Sequence, residues 1–193
     1  MSILGWRLAA ADWVSLEPRY QISRWQSGKV KPSPSEWARA QSRLVRAIQT
    51  TPGNPVLHDY LAALYVIRGR QEWANVAQRR ADFLNAKQHQ EISLALRPVN
   101  GRTWASLAVS MQALGQVGPV FFDACRRAIQ YAPHDSAVQG VLLSVLLAHW
   151  ASAPSDLRVW ARGLYSDPIT RRRLGLNQML QRNGLKESEL LGE

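Results

Sequence analysis

Apolar positions along this chain recur at helical spacing, and proline marks the places where the pattern stops. Ala40, Leu44 and Ala47 return every three or four positions and then halt at Pro52, the spacing of one buried helical face. The next run places His58, Leu61, Ala62 and Tyr65 on such a face, turns at Gly69 and resumes at Ala74. A third repeats the pattern with Trp104, Leu107, Ala108 and Met111, turns at Gly115 and closes through Ala128 to Pro133. Proline cannot continue a helix and drives the residue before it out of helical conformation. Each closing proline therefore punctuates a unit, and the chain is expected to be all-helical with essentially no sheet.

Pro52, Pro98, Pro133 and Pro168 follow one another at intervals of 46, 35 and 35 residues. Two of these intervals lie close to the period of about 34 residues of tetratricopeptide repeats, helix–turn–helix units that stack side by side. Small residues such as Ala62 and Ala108 let the two helices of a hairpin approach, while Leu44, Tyr65 and Trp104 fill the space between hairpins. The unit after Pro133 is degenerate. Leu142 fits, but Gln139 and Leu143 stand where an aromatic and a small residue belong. The first interval exceeds the usual period by about 12 residues, roughly three helical turns. The surplus falls in Asn75 to Ile92, which holds no Gly or Pro and carries Val76, Ala77, Ala81, Leu84 and Ile92, so it predicts a lengthened or an added short helix. The fold expected is an all-α, tetratricopeptide-like solenoid of helical hairpins over residues 36–168. N-terminal helices and a linker (1–35) precede it, and a basic helix and tail (169–193) follow. Ile3 to Gln26, interrupted by Pro18, predicts two short helices, and Gly28, Pro32 and Pro34 mark the linker. Ile169 to Arg182 predicts one basic helix that Asn183-Gly184 ends.

A hydrophobic fraction of 46% argues against wholesale disorder. The single cysteine, Cys125, excludes an internal disulfide and fits a reducing compartment. In Met1 to Val14, Arg7 and Asp12 interrupt any signal-peptide core. Ser136 to Ser155 lacks charged residues, but Gln139, Ser144, His149 and Pro154 leave too short an apolar run for the ~20 residues of a membrane span. A buried helix is expected there, and a cytoplasmic protein that works there or at the inner membrane surface. The net charge of +10 favours acidic partners: nucleic acid, anionic headgroups or acidic protein.

No phosphate-binding, dinucleotide, zinc-protease or nucleophile-elbow motif occurs, so no catalytic, cofactor-binding or metal-binding residue is assigned. His58 falls in a core-facing slot, Cys125 in a packed helix, and Trp37, Trp73, Trp104, Trp150 and Trp160 in apolar helical runs, all expected as packing residues. In a tetratricopeptide stack the first helices line a concave groove, and register nominates Asp59, Ala63, Val66, Arg102, Ala105, Val109 and Gln112 as partner-binding residues. Arg102 and Gln112 would be the polar recognisers of a peptide. The basic patch Arg171, Arg172 and Arg173 offers the other reading, an RNA- or anionic-lipid-binding helical repeat.

Particular phrases resemble the VpsP family of bacterial polysaccharide-biosynthesis proteins. They are the stretch from Trp6 to Trp13, Arg24-Trp25-Gln26, Ser35-Glu36-Trp37, Ala95-Leu96-Arg97-Pro98, Thr103-Trp104-Ala105 and Ala137-Val138-Gln139. The resemblance spans nearly the whole chain and rests mostly on packing residues. It implies a small, non-enzymatic tetratricopeptide protein that holds components of an exopolysaccharide synthesis or export machine.

Overall fold

The computed structural model describes residues 17–26, 28, 30–72 and 74–192. The stretch from Trp6 to Trp13, most of the expected N-terminal helices and Trp73 lie outside them. Among the described residues every regular element is helical. Residues 17–26 form α1, followed by α2 (Pro34–Thr50), α3 (Pro55–Gly69), α4 (Val76–Leu96), α5 (Gly101–Ala113) and α6 (Pro119–Tyr131). Then come α7 (Ser136–Leu147), a 3₁₀ turn (Trp150–Ser152), α8 (Ser155–Ser166), α9 (Pro168–Leu174), α10 (Leu176–Arg182) and α11 (Glu187–Leu191).

Three unit boundaries share one chemistry. Pro52, Pro98 and Pro133 each sit one residue past a helix C-cap, and two residues later Asn54, Asn100 and Asp135 take the next N-cap. The Asn54 and Asp135 side chains accept backbone N–H groups of their helices' first turns, satisfying donors that otherwise lack intrahelical partners. Four residues after each cap, a side chain reaches back to the proline carbonyl. His58 Nε2, Trp104 Nε1 and Gln139 Nε2 donate to Pro52, Pro98 and Pro133 at 3.0, 2.7 and 2.8 Å. The apparent degeneracy at Gln139 thus conceals a role it shares with His58 and Trp104: a long N–H donor pins each turn.

Helices α3 and α4 pair, as do α5 and α6, and α5 also packs on α4 and α7. The core is three successive clusters rather than one centre: Trp37, Leu44, Leu61 and Tyr65 in the first, Leu107, Phe121, Leu142 and Leu157 in the second, Leu147, Trp150, Leu176 and Leu190 in the third. Such a chain of neighbour contacts is the pattern of a helical-hairpin stack. The surplus of the first long unit is absorbed by α4, which has 21 residues against 13 in α6. The uncharged run from Ser136 becomes the 12-residue α7, mostly buried. No helix among the described residues is long and apolar enough to cross a membrane.

Three expectations need correction. Pro168 does not close a unit in the manner of its predecessors; it occupies the first turn of α9 behind the N-cap Asp167. The single basic helix is two, because Gly175 adopts a left-handed conformation (φ 64°) and separates α9 from α10, a geometry glycine adopts without steric cost. A further short helix, α11, follows and seats Leu190 in the third cluster. Finally, Trp104 and Trp160 are only partly buried, whereas Trp37 and Trp150 are buried.

Candidate functional site: the open face of the inner helices

Helix α5 packs mainly on α6 and α4, then on α7, and touches α3 only lightly. Its remaining face carries Arg102, Ser106 and Ala113, all exposed, with the partly buried Val109 between them. The spacing of four, three and four residues keeps these side chains on one line. Shifting by 35 residues gives Ala137, Val141, Ser144 and Ala148 beside α7, all exposed. Shifting by 46 the other way gives the partly buried Val56, Tyr60 and Ala63 on α3. The rows on α5 and α7 are mostly small, aliphatic and exposed, whereas the α3 row is partly buried, carries Tyr60 beneath Arg19 and ends on the buried Ile67.

The nominated residues divide over this geometry. Ala63 and Val109 lie on the open rows, and Arg102 lies at their edge, 74% exposed. Val66 and Gln112 sit partly buried on the flank. Ala105 is not on the groove: it is 3% exposed, within the second core cluster. Asp59 is already engaged. Its carboxylate accepts from Arg97 at 2.8 Å, Thr103 at 2.8 Å and Asn100 at 3.2 Å, fastening α3 to the turn before α5. The nomination joined two stripes one residue apart in register and so missed Ser106, Val141 and Ser144. Exposure along the shifted rows identifies them.

Arg102 also has structural work. Its Nε donates to Asp135 at 2.6 Å, tying α5 to the cap of α7. Burial pushes the Asp135 carboxyl upward, but the hydrogen bonds from Arg102 and from the Val138 and Ala137 amides outweigh it and hold the carboxyl below its ordinary value. The three arginines of α9 separate. Arg171 points to Glu187 (3.8 Å) and the Tyr165 ring (5.1 Å), Arg173 donates to Gln139 at 3.0 Å, and Arg172 is exposed.

The titratable groups in the interior are packed ones. His58 uses Nε2–H on the Pro52 carbonyl, so its Nδ1 accepts from His89 Nδ1–H at 3.0 Å. With ring centroids 5.2 Å apart the two nitrogens meet head to head. Desolvation, aided by His58, depresses His89 to about 4. Burial lifts the Cys125 thiol to about 12, leaving it un-ionised at neutral pH and a poor nucleophile. Among the described residues no three His, Cys, Asp or Glu side chains stand together as a metal site.

No protein-family model matches the chain, and no curated protein matches it.

Proposed function

We propose that this chain is a non-enzymatic scaffold that binds a protein segment across the open face of α3, α5 and α7. The observation that carries the reading is the register of that face: mostly small or aliphatic positions that repeat at the unit spacing, exposed on α5 and α7 and partly buried on α3. Small side chains let a peptide backbone approach, and hydroxyls at Ser106 and Ser144 offer hydrogen bonds without imposing charge. Helical stacks use extended surfaces built from repeated helices to hold partners. The resemblance carried by Trp6 to Trp13, Ser35-Glu36-Trp37 and Thr103-Trp104-Ala105 supplies the setting, a bacterial polysaccharide synthesis or export machine. Its components are the proposed partners, met in the cytoplasm or at the inner membrane surface.

The test is photo-crosslinking in cells from a reactive residue placed at Ser106 or Ser144, compared with one at the exposed Gln88 on α4. Crosslinks from the two inner positions to one polysaccharide-export component are expected, lost when Ser106→Arg and Ser144→Arg fill the face together. Adducts arising only from position 88, or equally from all three, would remove the groove from the account.

A further inference from the structure

The solenoid stops at α9, and its exposed side does not look like a plain solvated cap. End units of a helical stack ordinarily present a polar outer surface, because no further unit covers them. Here Ile169 is 77% exposed. Arg172 and Arg173 follow it by three and four residues, the helical spacing that places them beside it. Pro168, Ile169, Arg172 and Arg173 together line a solvent-open hollow of about 350 Å³.

The neighbouring contacts leave this face basic. Arg171 is drawn away to Glu187 and Tyr165. Arg173 is steadied by a neutral acceptor, Gln139, while Arg172 has no hydrogen-bond acceptor among the described residues. The Asp167 carboxylate, at the start of the helix, is occupied in capping α9, accepting from the Ile169 and Thr170 amides at 3.3 and 3.0 Å. A hydrogen bond from the Thr170 hydroxyl, then those amides and Arg173, hold its carboxyl low.

We propose that this face of α9 is a membrane-surface contact: Ile169 enters the headgroup boundary of an anionic bilayer, and Arg172 and Arg173 meet lipid phosphates. An aliphatic side chain beside two cations that form no salt bridge among the described residues matches the two requirements of interfacial binding, apolar insertion and attraction to anionic lipid. Single-stranded nucleic acid would instead use aromatic stacking, and the aromatic ring at α9, Tyr165, is 4% exposed beneath Arg171. A free phosphate would gain nothing from Ile169. The proposal is independent of the groove, since none of Ser106, Val109 or Ser144 takes part in it.

The full chain is sedimented with vesicles of phosphatidylcholine alone and of phosphatidylcholine mixed with phosphatidylglycerol. Binding to the mixed vesicles only is expected, weakening with salt. Losing Arg172 and Arg173 together as R172Q/R173Q should lower the partition coefficient by about thirty-fold, from roughly five-fold per surface cation. Ile169→Ser should lower it several-fold with the salt dependence unchanged. An equal change of charge elsewhere, Arg39→Gln with Arg46→Gln on α2, should lower it less than R172Q/R173Q does. Thermal melts confirm that each variant remains folded. Four results would overturn the proposal: no binding to the mixed vesicles, equal loss in the α2 variant, no effect of Ile169→Ser, or complete displacement by inorganic phosphate at matched ionic strength. RNA capture that falls in R172Q/R173Q while vesicle binding persists would assign the arginines to nucleic acid instead.

Discussion

Gly101 opens α5 where that helix crosses the end of α6, and the structure fixes what a side chain there would meet. A β-carbon on Gly101 would stand 2.6 Å from Ala132 Cβ, 2.9 Å from the Ala132 amide nitrogen and 3.0 Å from the Ala128 carbonyl oxygen. Carbon atoms in good contact sit about 3.5–4.0 Å apart, so the two chains must separate by close to 1 Å. None of the three neighbours can rotate away. Two of them are the partners of the 3.0 Å hydrogen bond that ends α6, and the methyl would wedge beside it. Overpacking of this kind costs about 1–3 kcal/mol, and a weakened cap bond adds up to about 1 kcal/mol. Restricting the unfolded chain returns roughly 0.4–1 kcal/mol. Gly101→Ala should therefore destabilise by about 1–3 kcal/mol, lowering Tm by about 3–9 °C for a chain of this size. Urea and thermal unfolding followed by circular dichroism measure both. Two controls share the chemistry without the crowding. Gly53 has nothing within 4 Å of its built β-carbon, and Gly140 has only a Leu174 methyl at 3.8 Å. Gly140→Ala, inside α7, should stabilise by up to about 1 kcal/mol. Ala132→Gly should rescue Gly101→Ala in part, since it removes the nearest contact and leaves the other two. If Gly101→Ala melts with or above its parent, the close crossing of α5 and α6 is wrong.

Trp37 and Trp104 should respond differently to truncation. Trp37 is 2% exposed, donates to the Leu64 carbonyl at 2.8 Å and lies 3.5 Å under the Arg68 guanidinium, so Trp37→Ala should cost about 3–5 kcal/mol. The half-buried Trp104 should lose about 2 kcal/mol, with partial recovery in Trp104→Gln, which retains a donor for Pro98; equal losses at the two tryptophans in urea titrations would contradict their burial. Stability should also fall with acid through His89. Its folded value of about 4 lies below the ordinary 6.5, so as pH drops from about 6.5 toward 4 the unfolded chain takes a proton that the folded chain refuses. The loss is bounded by about 3 kcal/mol, is complete below the folded value and is absent above about pH 7. His89→Gln should flatten that limb of the stability–pH curve; an unchanged slope would place the titration elsewhere.

Much of the stack was legible because its boundaries are governed by backbone chemistry. A proline past a helix C-cap, an Asn or Asp two residues on, and a long N–H donor four residues later are each demanded by local geometry, so they recur in sequence at the unit period. The long α4 was legible for a related reason: no Gly or Pro stands between Asn75 and Ile92 to break it. The open face obeys a different constraint. Whether residue 105 or 106 is exposed depends on where α3, α4, α6 and α7 press on α5, and a change of one residue rotates a helical position by about 100°. Small residues occur at both Ala105 and Ser106, so hydropathy does not separate them.

Pro168 shows where spacing alone misleads. It keeps the 35-residue interval yet begins a helix, and the difference is written in its neighbours. Pro52, Pro98 and Pro133 are followed two positions later by Asn54, Asn100 and Asp135, which cap the next helix. Pro168 is followed there by Thr170, while Asp167 stands immediately before it. An acidic cap before proline and none after it starts the helix at the proline, which removes the turn in which a unit would close. With no turn, no inner helix of full length follows. Leu174, the position corresponding to His58, Trp104 and Gln139, has no donor to offer the Pro168 carbonyl. The stack therefore ends at α9 by the same local chemistry that repeats it, and α10 and α11 fold back to cover Leu143 and Leu147 in the third cluster. The outward side of α9 leaves Ile169 and Arg172 exposed.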